Sequence, residues 1–294
     1  MGEVAALLTA VLWSFTSIFF SQASSLLGSV KVNRLRLGFA VTFLMIAHLI
    51  LRGSPFPLDA GPERWFWFGV SGLVGLVFGD ACLLQCYVLI GARLGTLMMA
   101  TSPVIGTILA WFFLGEKLAA VEVAAIAVTV LGVSIVVLER GSVAHPKPKA
   151  YALGLLFGLG GAAGQAGGLI LAKIGLDGNY PSISGTVMRM LVAMSFMWLL
   201  ALVSGQVRPT IRAAAENRRA LRFILLGATF GPFMGVWLSL ASVQATYVGV
   251  ASTLMSLTPI LVLPILRFWF KEHISWRAVL GTVVALSGVT LLLI

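Results

Sequence analysis

The 294 residues carry a net charge of +10, with 59% hydrophobic side chains and only 10% charged ones, and their mean hydropathy is +1.02. A soluble domain of this length needs roughly a quarter charged residues, so a water-facing surface is excluded and lipid is the solvent. Nucleic acid is excluded as a partner, because the Lys and Arg residues fall in short connections between apolar segments, where anionic head groups hold them.

Ten apolar segments approach the roughly 20 residues that cross hydrocarbon: about 4–22, 33–51, 65–90, 94–114, 120–138, 150–173, 184–204, 220–242, 246–270 and 275–294. Helix is the expected form, since in lipid each backbone polar group must be satisfied within its own segment. Nothing alternates over about ten residues, as a barrel strand would. The first segment, MGEVAALLTAVLWSFTSIFFSQ, lacks a basic start and runs apolar to Phe20, so it reads as a spanning helix rather than a signal peptide. It offers Trp13, Ser14 and Ser17 as cavity-lining candidates. Arg36, a few residues inside the second segment, has two readings, attraction of a substrate carboxylate and snorkelling to the head groups along its aliphatic stem, and snorkelling is the favoured one.

The third segment contains GLVFGDACLLQC, and Asp80 within it is the one acid deep in an apolar stretch. A charged Asp at mid-membrane costs about 2.5–3.5 kcal/mol on insertion scales, so it faces a cavity or a partner. Its two readings are a proton-coupling or amine-binding group and a hydrogen-bonded packing residue. Gln85 and Tyr87 follow as lining candidates, while Cys82 and Cys86 read as small buried hydrophobes. The fourth segment offers Thr101 and Ser102 beside Pro103. A Pro removes a backbone donor and frees the carbonyl one turn earlier, which a solute can bind if it faces a cavity; otherwise the Pro only shapes packing. Glu116 is expected to cap a helix or pair with Lys117.

The link ERGSVAHPKPK (139–149) divides the chain into repeats over 1–141 and 150–294, with 142–149 as linker. In the second repeat, GLGGAAGQAGG (158–168) reads as a close-packing surface rather than a nucleotide loop, and Gln165 within it as a lining candidate. Arg189, at the position matching Arg36, is a candidate for a substrate carboxylate, with snorkelling left open as the alternative. Trp237, Ser239, Gln244, Ser256, Thr258 and Pro259 complete the polar and aromatic set, and Glu272 parallels Glu116. The substrate-binding set is thus Trp13, Ser17, Asp80, Gln85, Tyr87, Thr101, Ser102, Pro103, Gln165, Arg189, Trp237, Ser256, Thr258 and Pro259.

Residues 65–138 align with 221–294 at an offset of 156 without a gap, matching Gly75 to Gly231, Gly79 to Gly235, Pro103 to Pro259 and Glu116 to Glu272. RLGFAVTF from Arg36 matches RMLVAMSF from Arg189 at an offset of 153, whereas Asp80 falls opposite Val236. Five helices per repeat reverse the second relative to the first. The expected fold is therefore an all-α integral membrane protein, ten transmembrane helices in two inverted five-helix repeats, an arrangement characteristic of secondary transporters.

TLMMATSPVIGTILAWFFLGEKLAAVEVAAIAVTVLGVSIVVL (96–138) and its second copy at 252–294 resemble the C-terminal part of an EamA domain. Such domains occur in tandem in the drug/metabolite transporter superfamily. That resemblance implies ten helices, a multi-pass position in the cell inner membrane and transport of small solutes, with export of aromatic or other neutral amino acids as the favoured branch. The few intramembrane charges suit neutral or zwitterionic solutes better than sugar phosphates, which remain an alternative class, as does a passive facilitator or channel. An enzyme is not expected: Asp80 has no second acid, His48, His145 and His273 are scattered, and no HExxH occurs. No cofactor is implied; the expected partners are a small-molecule substrate and membrane lipids, in a monomer or homodimer. Most of the 20 Lys and Arg residues lie in the odd-numbered connections, which places both termini outside, whereas the superfamily habit places them in the cytoplasm.

Overall fold

The computed structural model describes residues 1–138, 148–258, 260–261, 265 and 275–293. Every regular element among them is helical. In chain order these are α1 (Gly2–Leu27), α2 (Ser29–Arg52), α3 (Pro62–Gly72), a π-helical turn (Leu73–Gly79), α4 (Asp80–Met99), α5 (Ser102–Leu114), α6 (Ala120–Leu138) and α7 (Pro148–Gly175). After a 3₁₀ turn come α8 (Ser182–Val203), α9 (Val207–Glu216), α10 (Arg218–Ala228), a second π-helical turn (Thr229–Gly235), α11 (Val236–Ala245), α12 (Val248–Met255) and α13 (Trp276–Leu293). Among the described residues, six helical stretches are long and apolar enough to cross a membrane: Gly2–Leu27, Ser29–Arg52, Pro62–Gly91, Lys149–Gly175, Ser182–Val203 and Arg218–Ala245. Shorter apolar helices cover Ser102–Leu114, Ala120–Ile135 and Val279–Leu291.

The internal repeat appears in the backbone itself. Both π-helical turns, both following helix starts (Asp80 and Val236) and the helix ends at Met99 and Met255 keep the offset of 156. The fourth apolar segment of the first half is two short helices, not one kinked rod, and among the described residues of the second half α12 ends at a matching place. In the first half, Gly91 turns the chain at φ 82, helix resumes to Met99, and a further break at Ala100–Thr101 precedes α5. Glycine adopts that positive φ without the Cβ penalty. In the second half, extended residues Thr246 and Tyr247 open α12, and a turn at Ser256–Leu257 closes it. The break therefore lies ahead of Pro103, contrary to the expected Pro kink. Pro103 sits in the first turn of α5, where its missing N–H has no intrahelical partner to lose.

Small residues bring the two halves together. A Cβ on Gly132 of α6 would collide with Ala285 and with the Gly281 carbonyl on α13; one on Gly288 would collide with Thr129 and with the Ala125 carbonyl on α6. The offset of 156 exchanges these two sets of contacts, so an approximate two-fold axis passes through this crossing. In lipid, where apolar side chains gain nothing by leaving the solvent, such close approach supplies the packing energy. The glycine run of α7 does the same: a Cβ on Gly168 would lie 2.9 Å from Gly75 Cα, and one on Gly164 would lie 3.0 Å from the Val74 carbonyl.

Candidate functional site

A cavity of about 120 Å³ lies where α1, α2, α4, α5, α7, α12 and both π-helical turns converge. A single water needs on the order of 10–15 Å³ measured this way, so a small solute fits. The walls are mostly apolar and come from both repeats: Trp13, Phe20, Leu76, Leu83, Leu84, Tyr87, Leu169, Pro232 and Met255 among others. Polar groups enter at Thr16, Ser17, Arg36, Asp80, Ser102, Gln165, Ser252, Ser256 and Thr258.

The ion pair Arg36–Asp80 is the strongest electrostatic feature of the wall. In a π-helical turn the main chain bonds i to i+5, which widens the helix. The turn Leu73–Gly79 presents the Leu76 carbonyl to Asn33 Nδ2 and Arg36 Nη2, each at 3.4 Å. Asp80 is the first residue beyond that turn. Asn33 Oδ1 accepts from Arg36 Nε at 2.8 Å, and the Phe20 ring lies 5.4 Å from the guanidinium carbon. Arg36 is only 4% exposed. Snorkelling, the expected role of Arg36, is therefore replaced by a cavity-facing pair, because the π-helical turn and Asn33 hold the guanidinium inside.

The broken helices are stitched to α1 by hydroxyls. Ser14 Oγ donates to the Ala10 carbonyl at 2.7 Å and reaches the Thr258 carbonyl at 3.2 Å, while Thr258 Oγ1 donates to the Met255 carbonyl at 2.8 Å. Ser256 Oγ donates to the Thr253 carbonyl at 2.7 Å. By contrast, the buried hydroxyls of Ser102 and Ser252, both on the cavity wall, have no hydrogen-bond partner among the described residues.

Phe20, Leu84 and Tyr87 carry the lining toward the bundle end that holds the α1–α2 turn. At the opposite end, helix ends of both repeats are tied together. Lys173 Nζ on α7 meets Glu116 Oε1 at 2.5 Å and donates to the Thr246 carbonyl at 2.8 Å; Glu116 Oε2 accepts the Val248 N–H at 2.9 Å. Glu116 thus both caps α12 of the other repeat and forms an ion pair, with Lys173 rather than Lys117 as partner.

Of the residues expected at the site, Trp13, Ser17, Asp80, Tyr87, Ser102, Gln165, Ser256 and Thr258 come together around the cavity. Gln85, Thr101, Pro103, Arg189 and Trp237 are not in its lining. Gln85 accepts from Ser29 Oγ at 2.7 Å. Thr101 bonds back to the Met98 carbonyl at 2.7 Å, a local use of the hydroxyl typical of helix ends. Trp237 stacks on Phe233 at 6.4 Å between centroids. Arg189 is 2% exposed, with Nε and Nη1 lacking partners among the described residues; a Cβ on Gly75 would lie 3.1 Å from its Nη2. Ser239 and Gln244 bond to the Val236 and Tyr180 carbonyls, each at 2.8 Å. Pro259, Glu272, Lys271, His145 and His273 lie outside the described residues. Residue-by-residue reading did not single out Thr16, Ser252, Gly231 or Pro232 for the cavity wall, and it favoured snorkelling for Arg36. The spacing Gly75–Gly79 against Gly231–Gly235 was the available signal for the wall at Gly231 and Pro232. No group of three or more His, Cys, Asp or Glu side chains among the described residues could hold a metal ion.

A family model described as the EamA-like transporter family matches residues 1–138 and 152–294. Similar folds are found among solved structures, where 29 chains match. One of them, described only as a crystal structure of a protein, covers 99% of this chain and 94% of its own at a TM-score of 0.77. Its 15% identity makes that likeness one of fold alone. None of the curated proteins matches the chain.

Proposed function

We propose, from the premise that this chain belongs to the EamA-like transporter family, that it carries small zwitterions, chiefly amino acids with aromatic or other neutral side chains, outward across the cell inner membrane. The proposal takes the chain as ten spans in two inverted repeats, open alternately at each end.

The observation that carries this reading is the Arg36–Asp80 pair on the wall of an otherwise apolar cavity. Parting a buried ion pair leaves two desolvated charges, a cost of several kcal/mol. A zwitterion removes that cost, because its carboxylate takes Arg36 and its ammonium takes Asp80. A solute of one charge compensates one partner and leaves the other bare. A phosphate ester brings a double negative charge beside Asp80 and is repelled. Trp13, Phe20, Leu84 and Tyr87 then offer an apolar bed for the solute side chain, and the cavity volume limits it to a small molecule.

The test is counterflow into liposomes holding purified protein and preloaded with unlabelled phenylalanine or leucine. Saturable uptake of labelled amino acid is expected, together with little exchange of phenethylamine or phenylpropionate, which each lack one charge. Equal exchange of the singly charged analogues, or exchange of sugar phosphates in place of amino acids, would falsify the zwitterion reading. Uptake that does not saturate and shows no counterflow would make the protein a passive channel instead.

A further inference from the structure

A second cluster of basic groups lies away from the central cavity, at the end of the bundle where α1 turns into α2. Gly28 makes that turn alone, at φ 83, so α2 starts at Ser29 with no lead-in. The first N–H groups of a helix have no intrahelical acceptor and carry roughly half a positive charge. No side chain caps them. The N-cap is Gly28, which has no side chain to offer, and the Ser29 hydroxyl donates to Gln85 Oε1 at 2.7 Å. A surface pocket of about 270 Å³ opens on this helix start, lined by Leu27–Lys31, Arg34 and Gln206.

Arg34 is the decisive member. It is 7% exposed, and although its Nη1 donates to Thr210 Oγ1 at 3.3 Å, its Nε has no partner among the described residues. Buried charges are ordinarily paired. No carboxylate lines the pocket, and Glu216 on the overlying α9 is engaged by Arg212 at 2.6 Å. Three kinds of donor therefore line one pocket that holds no carboxylate: backbone N–H groups at the helix start, a guanidinium and the Lys31 ammonium.

We infer that this pocket binds a phosphate group, and that its source is the head group of an anionic lipid. Phosphate accepts from backbone N–H groups at helix starts and from guanidinium at once. The surroundings favour a lipid over a free ester. Leu26 and Val30 flank the turn and are exposed, as acyl chains require. α9 buries Thr210 and Ala214 while Arg208 and Arg212 face outward, the pattern of a helix lying in the head-group layer.

The experiment mixes purified full-length protein with equal amounts of phosphatidylglycerol and phosphatidylcholine in neutral detergent, and reads retained lipid by native mass spectrometry. Phosphatidylglycerol should be retained about tenfold over phosphatidylcholine. Lys31→Gln and Arg34→Gln should each remove that preference, while Arg222→Gln on the exposed side of α10 keeps it. A parallel arm follows thermal stability in millimolar inorganic phosphate. Stabilisation by phosphate that Lys31→Gln abolishes, with no preference for phosphatidylglycerol, upholds the phosphate site and reassigns its source to a soluble ester. Binding of neither probe, or undiminished phosphatidylglycerol retention in Lys31→Gln, overturns the site. Should Arg34→Gln fail to fold, Lys31→Gln decides alone.

Discussion

The two π-helical turns occupy matching places in the two halves, yet they meet different surroundings. The first, Leu73–Gly79, presses Gly75 and Gly79 onto Gly168 and Gly164 of α7, and its next residue is Asp80, held by Arg36. The second, Thr229–Gly235, presses Gly231 and Gly235 onto Thr16 and Trp13 of α1, and its next residue is Val236. Arg189, which stands in the same sequence pattern as Arg36, therefore finds no acid at the matching position. Each turn packs on the first long helix of the opposite repeat. Duplication has preserved the crossings and the breaks, and so the means for two alternative packings. The charge pair stands on one side only. A symmetric frame thus carries an asymmetric site, and the zwitterion of the proposed function would have one orientation in it.

The largest expected effect breaks that asymmetry at its centre. Asp80→Asn leaves Arg36 buried without its partner, and removal of one member of a buried pair costs about 3 kcal/mol or more. Melting of the detergent-solubilised protein should fall accordingly and counterflow should vanish, whereas Val236→Asn in the other half should cost about 1 kcal/mol. Arg36→Met combined with Asp80→Leu should recover most of the stability without recovering transport. Recovery of transport in the double variant would show that the pair holds the fold and not the solute.

Much of this frame can be read from the chain, because the features that survive duplication are glycines. Gly75, Gly79 and Gly132 recur at the offset because a Cβ at these crossings meets the opposite helix, and that restriction shows in sequence. The π-helical turns are different. GLVFG and GPFMG share only their glycines, and the widened backbone follows from packing between distant segments. Arg36 was misread for the same reason. Its partner lies 44 residues away, and nothing in RLGFAVTF indicates which face of α2 meets Asp80. Pro103 drew attention to the right region: it has no N–H for the Met99 carbonyl, and the break falls at Ala100–Thr101, ahead of the Pro itself. Gln85 has the chemistry of a lining residue, and only the α1–α2 turn reveals that Ser29 engages it.

A smaller effect probes the crossings. Gly164→Ala places a Cβ about 2.5 Å from Gly79 Cα, a contact with backbone that no rotamer relieves. Overpacking of this kind costs about 1–3 kcal/mol. At Gly75 the nearest atom to an added Cβ is the Arg189 Nη2 at 3.1 Å, the end of a flexible side chain, so Gly75→Ala should cost less in the same melting assay. Equal losses at both positions would mean that the backbone yields at the crossing, and that the two sites are not distinguished by what they face.

The ends of the bundle differ as well, at about 1 kcal/mol. Glu116→Gln weakens the tie to Lys173, a pair with side-chain exposures of 8% and 23%, whose worth is that of a partly screened ion pair. Val248, fully buried beside that tie, reports on it when replaced by Cys. Labelling of Val248→Cys by a charged maleimide should rise roughly fivefold in the Glu116→Gln background, the ratio that 1 kcal/mol gives. Unchanged labelling would mean that helix packing, and not the ion pair, closes this end.

The smallest effect on stability carries information about the solute. Ser102 belongs to the first half and Ser252 to the second, and both hydroxyls are buried on the cavity wall without a partner among the described residues. A buried hydroxyl that makes no hydrogen bond gives nothing to the fold, and its removal is neutral or slightly stabilising. Ser102→Ala and Ser252→Ala should therefore melt within about 0.5 kcal/mol of the parent. If the solute bonds to these hydroxyls while bound, each substitution should raise the half-saturation concentration about fivefold, the equivalent of one neutral hydrogen bond of about 1 kcal/mol, with the maximal rate retained. A change at Ser102 alone would place the solute against the first half, beside the Arg36–Asp80 pair. A change at both would place it across the two halves. A loss of stability at either position would show that the hydroxyl serves the fold, and would withdraw that residue from the site.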